Sequence, residues 1–134
     1  MSKGEGEERR RNRRVRANLA VQFRLVPRNG SPVSAGSLRG HICNLNETGA
    51  LLLGPLPDEA WSDELLDNHL LVKLDVVMPD AGEPPLPLQA RCVWLEVGDA
   101  GLPLTAFGLL FESLSPADAK CLKRLLTRLQ EISQ

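Results

Sequence analysis

The residues best equipped for chemistry in this chain are arginines. Arg9, Arg10, Arg11, Arg13 and Arg14 stand within the eight positions from Glu8 to Val15, and Arg16 follows just beyond. A guanidinium presents a planar fork of donors that matches a phosphate bidentately, and its flat face stacks on aromatic rings. Arg10 and Arg14 are separated by three residues, enough chain for two such groups to close on one ligand. Arg9 and Arg13 form a second pair of the same spacing. A run of this kind has three readings: a solvated charge cluster, a basic arm for nucleic acid, or a clamp for a specific anion. Position favours the clamp, because the run leads almost directly into a strand-like segment that anchors Arg14 beside the body of the domain.

A second polar group lies at Asn44-Leu45-Asn46-Glu47-Thr48-Gly49. Two Asn side chains one residue apart on an extended strand point the same way and offer both donors and acceptors, which suits the edge of a purine base. The same residues fit a plainer role as the polar lining of a tight turn, with Gly49 free to take positive φ.

Other chemistries find little support. His41 and His69 have no ligand spacing to each other or to Cys43, Cys92 and Cys121. No nucleophile elbow, H-E-x-x-H helix or phosphate-binding loop is present, and there is no tyrosine. The expectation is a protein that is not an enzyme, with no cofactor and no metal. The three cysteines are odd in number and each sits in an apolar run, so buried free thiols and a reducing, cytoplasmic setting are expected. The amino terminus has no apolar core of a targeting signal, and no stretch approaches a membrane span, so no membrane partner is expected.

The elements that must position these groups follow from period and turn chemistry. With 134 residues and 43% hydrophobic content the chain is long enough for one core. Residues 1–16 carry seven basic groups against three acids. The remainder carries nine against fourteen, so an arm of net +4 precedes a body of net −5. Residues 1–8 have nothing to bury and read as a disordered tail. From Asn18, Leu19, Val21, Phe23 and Leu25 alternate with polar or small residues, the period of a half-buried strand. Further strands are expected at Leu38–Leu45, Ala50–Leu53, Leu70–Met78, Leu88–Val97 and Thr105–Glu112. Turn-rich segments separate them, and one helical turn is expected near Trp61. Six short strands of this kind suggest an antiparallel barrel or sandwich. Ser115-Pro116-Ala117-Asp118 then opens a helix, in which Leu122, Leu125, Leu126, Leu129 and Ile132 form one apolar stripe.

Together these pieces resemble the PilZ domain family, bacterial receptors for cyclic di-GMP, over nearly the whole chain. The family's R-R-x-x-x-R pattern is met by Arg9-Arg10-Arg11-Asn12-Arg13-Arg14, followed by the usual aliphatic at Val15. Its D/N-x-S-x-x-G motif aligns with Asn44-Leu45-Asn46-Glu47-Thr48-Gly49, with Asn46 where the family usually has Ser. A late G-L-x-F appears as Gly108-Leu109-Leu110-Phe111. The resemblance implies a six-stranded antiparallel β-barrel (18–112) with a carboxyl-terminal α-helix (115–132), preceded by a ligand-binding arm (9–17). It implies that Arg10 and Arg14 contact the phosphates and stack on guanine. Arg9 is the position associated in similar proteins with an intercalated ligand dimer. Asn44 and Asn46 would read guanine edges, and Gly49 would keep the turn tight. Ordering of the arm by ligand would then signal to a protein effector. The alternatives are a degenerate protein-interaction module that does not bind cyclic di-GMP, favoured by the Asn46 departure, and an arm for nucleic acid, which the acidic body disfavours.

Overall fold

A computed structural model of the chain describes residues 15–30, 36–98 and 104–133, with side chains to position 131. Six strands, β1 (Val15–Pro27), β2 (Leu38–Leu45), β3 (Gly49–Gly54), β4 (Leu70–Val76), β5 (Leu86–Val97) and β6 (Thr105–Glu112), close into a barrel in the order β1-β2-β3-β6-β5-β4. All neighbouring pairs are antiparallel. A short helix α1 (Trp61–Leu66) precedes β4, and α2 (Pro116–Ser133) follows the barrel. The six-stranded barrel with a terminal helix matches the architecture expected from the sequence.

The alternation in β1 explains its role. Leu19, Val21, Phe23 and Leu25 are buried while Ala20, Gln22 and Arg24 are exposed, so one face fills the barrel and the other meets solvent. The Phe23 ring meets Phe107 edge-on, with centroids 5.9 Å apart and planes at 62°, a favoured aromatic geometry. Its edge also lies where a side chain at Gly54 would begin: a Cβ there would fall 2.8 Å from the ring. The barrel thus trades two missing side chains, at Gly40 and Gly54, for one aromatic filler.

β4 ends at Val76, two residues short of the expected Met78, and two strands start at least two residues earlier than expected. β1 begins at Val15 rather than near Asn18, because Val15 and Arg16 pair with Leu45 and Asn44 across an irregularity before Leu19. The alternation runs on through that irregularity, with Val15 buried, Ala17 half-buried and Arg16 and Asn18 exposed, so the strand's inward face extends to the end of the arginine run. β5 begins at Leu86, since Leu86 and Pro87 pair with Val76 and Asp75, whereas the proline reads as a loop residue.

The terminal helix forms as its opening residues dictate. Ser115 Oγ accepts a hydrogen bond from the Asp118 amide at 3.0 Å, satisfying one of the free donors of the first turn. Leu122, Leu125, Leu126 and Leu129 are buried against the barrel. Ile132 lies outside the described side chains. Arg128 reaches across to Asp80 in the β4–β5 loop at 2.9 Å, a half-exposed pair that orients the helix more than it stabilises it. No helix of the described residues is long and apolar enough to cross a membrane.

Candidate ligand-binding site

Register places five residues in one line across the outside of the barrel. Arg16 on β1 pairs with Asn44 on β2, Asn44 with Leu51 on β3, Leu51 with Gly108 on β6, and Gly108 with Trp94 on β5. Directly opposed residues share a face of the sheet, so this is a continuous row on the outer surface. It starts at the residue after Val15, where the arginine-rich segment joins the barrel.

The β2–β3 turn forms the row's upper border. Asn46 Oδ1 accepts hydrogen bonds from the Thr48 amide at 2.8 Å, the Gly49 amide at 2.7 Å and Thr48 Oγ1 at 3.0 Å. The Asn46 amide in turn donates to the Gly49 carbonyl at 3.0 Å, and the Phe111 amide donates to the Thr48 carbonyl at 2.8 Å. The turn is therefore locked locally and tied to β6. Asn46 spends its side-chain oxygen on this lock, and its side-chain NH2 donors take no part in it.

Gly49 serves the turn for a different reason from the one its position suggested. The glycines with positive φ among the described residues are Gly30 and Gly82, not Gly49. At Gly49 a Cβ would collide with the Leu109 carbonyl oxygen. The requirement is close approach of β3 to β6, not a left-handed backbone.

Between turn and row sits a pocket of about 180 Å³, lined by residues that include Asn44, Asn46, Thr48, Gly49, Val93, Trp94 and Gly108. The tryptophan wall was not legible from the sequence. Counting by twos from Leu88, Ala90 and Cys92 turns Trp94 inward. A bulge between Cys92 and Trp94 shifts the register, and Val93 and Trp94 are instead 48% and 44% exposed. A Cβ at Gly108 would overlap Trp94 Nε1, so the indole lies flat across the glycine. The one signal in the sequence was the pairing of a glycine in a strand with an aromatic on its neighbour, since strand glycines mark close approach.

Cys92 stabilises this bulge from within. Its thiol donates to the Trp94 carbonyl at 3.1 Å, and burial pushes its pKa up from 9.0 to about 11. Because the folded value is raised, the stabilisation this thiol brings is complete below pH 9 and is lost as pH rises through about 11. Cys43 and Cys121 are only half-buried, a correction to the expectation of three buried thiols. Both cysteines outside the core should react with a thiol reagent at pH 8 well before Cys92, which should react only on unfolding. Equal rates for all three would contradict the burial.

Asn44 and Asn46 thus border one pocket, with Gly49 at its edge. Arg9, Arg10 and Arg14 lie outside the described residues. Among the described residues no three His, Cys, Asp or Glu side chains are grouped to hold a metal ion.

The sequence matches the PilZ domain model over residues 8–128. The chain belongs to the PilZ domain family. Solved structures share the fold. The inhibitor of motility MotI/DgrA from Bacillus subtilis is 15% identical with a TM-score of 0.63, over 94% of this chain and 53% of the other. This PilZ chain therefore spans about half the length of that protein. The PilZ domain of YcgR from Escherichia coli, solved with c-di-GMP, is 18% identical with a TM-score of 0.60, over 93% of this chain and 94% of that one. The PilZ domain of CeSA from a cellulose-synthesizing bacterium is 21% identical with a TM-score of 0.55, covering 87% and 97%. No curated protein matches the sequence. Within the PilZ motif, Asn46 replaces the usual Ser yet closes the turn through its side-chain oxygen. Hydroxyl side chains close turns of this kind in the same manner, though more weakly.

Proposed function

We propose that this PilZ domain is a cyclic di-GMP receptor whose ligand draws the arginine-rich arm onto the barrel and so presents a new surface to a protein effector. The observation that carries this reading is the outer row with its pocket, lying where the chain enters from Arg14. The pocket is smaller than the roughly 300–1,000 Å³ of a complete small-molecule site. It suits one base, and the rest of the ligand must be held by residues ahead of Val15. An extended chain spans at most ~3.3–3.6 Å per residue, which keeps the Arg10 Cα within roughly 18 Å of Val15. Arg10 and Arg14 bind the phosphates and stack on guanine, and Arg9 serves a second, intercalated ligand. Guanine offers acceptors at O6 and N7; the side-chain NH2 groups of Asn44 and Asn46 supply donors. This is binding and not turnover. Fixing the arm costs roughly 1–2 kcal/mol per residue, so net affinity is set near micromolar, about −8 kcal/mol.

Calorimetric titration with cyclic di-GMP, with GTP and duplex DNA as controls, tests the reading. Saturable binding selective for cyclic di-GMP is expected, and a stoichiometry of two ligands per chain would support the role of Arg9. A flat titration would overturn the receptor reading and leave an interaction module, while equal affinity for DNA would restore the nucleic-acid arm. Gly108→Ala tests the base pocket. Its methyl must displace the half-exposed Trp94 indole. Thermal stability should change little, while cyclic di-GMP affinity falls several-fold, the loss of about 1 kcal/mol of ring contact. Unchanged affinity would remove Trp94 from the site.

A further inference from the structure

The receptor reading draws its cations from the arm, yet one arginine on the barrel itself is placed to join them. Arg16 is exposed and is the cross-strand partner of Asn44. Opposed residues of an antiparallel pair bring their Cβ atoms to about 4.5–5.5 Å, so the Arg16 stem lies beside the Asn44 amide at the start of the row. The ion pairs among the described residues leave it out. The body around it is acidic, and Glu47 stands exposed in the neighbouring turn. A phosphodiester lying over this row would therefore need a local cation.

We infer that Arg16 is a third phosphate-binding residue of the site, fixed by the β1–β2 ladder and thereby setting where the ligand's phosphodiester lies relative to Asn44. The inference rests on the receptor reading and adds a residue to it. Its physical basis is pre-organisation. On the receptor reading the ligand orders the arm as it binds, whereas the Arg16 backbone is already paired, so a contact from it carries a smaller entropic cost. A guanidinium can bind a phosphate oxygen pair through its fork, and from a fixed strand position that fork imposes a register on the ligand.

The bland alternative is a solvated surface arginine, and a charge-matched control separates the two. Arg24 is also exposed on β1 but pairs with Lys73 on the β4 side. Wild type, Arg16→Gln, Arg24→Gln and Arg10→Ala are titrated with cyclic di-GMP by calorimetry at low and raised salt. Arg16→Gln should bind roughly ten-fold more weakly than wild type with a flatter salt dependence, and Arg24→Gln within about two-fold. Arg16→Met, which keeps an apolar stem on the strand, guards against a folding defect and should match Arg16→Gln. If Arg16→Gln and Arg16→Met bind as Arg24→Gln does while Arg10→Ala is impaired, Arg16 is a surface residue and only this inference falls. If wild type gives no heat, the receptor reading falls and this inference with it.

Discussion

Replacing Arg10 with alanine is expected to weaken cyclic di-GMP binding about 10- to 150-fold. The figure follows from removing one charge-assisted contact, about 1.5–3 kcal/mol. Arg10 is the outer member of the R-x-x-x-R pair, and its substitution lies ahead of the first residue of β1. The melting temperature without ligand is therefore the control, and it should be unchanged. The measurement is the dissociation constant by calorimetry at fixed salt, because phosphate contacts are sensitive to ionic strength. An affinity equal to wild type would return the arginine run to a solvated cluster. Since the proposed output is the docked arm, the same variant should also fail to protect the arm from proteolysis when ligand is added.

Phe23→Ala is expected to cost about 3–5 kcal/mol of folding free energy, the range for deleting a buried aromatic ring. Phe23 is 1% exposed, packs edge-on against Phe107 and fills the space above Gly40 and Gly54. On that side Gly40 and Gly54 are glycine backbones within paired strands and have no side chains to collapse into the vacated volume. Relaxation is correspondingly poor and the cost belongs at the upper end. Against a total stability of about 5–15 kcal/mol for a domain, such a loss should lower the melting temperature by roughly 10 °C or more. Urea unfolding is the direct measurement. A loss below about 1 kcal/mol would show that the barrel closes over the cavity.

Much of this architecture is legible in the sequence, because it rests on period and punctuation. The alternation from Leu19 to Leu25, the S-P-A-D helix start and the turn at Asn46 all express local physics, and the barrel reproduces them. The features that the sequence hides are non-local. The bulge that turns Trp94 outward depends on how β5 meets β6, and no window of β5 alone reveals it. The same holds for Gly49. A turn glycine suggests positive φ, but its cause is a carbonyl on a strand far away in sequence. Of the proposed site, Asn44 and Asn46 stand out by spacing, while Arg16 and Trp94 become visible only once register sets them in line.

That line has a kinetic corollary. Its Arg16–Asn44 and Asn44–Leu51 steps belong to consecutive hairpins, which pair early because their strands follow one another in sequence. The Leu51–Gly108 step joins strands remote in sequence, and such pairings form late on a folding route. A chain folded only through its first three strands would show the arginine and both asparagines but neither Gly108 nor the Trp94 wall. On the proposed reading, ligand capture is then a property of the completed barrel alone. By mass action a ligand held by that row would favour the fully closed molecule over partly assembled ones, and a newly made receptor would respond only when the last strand is in place.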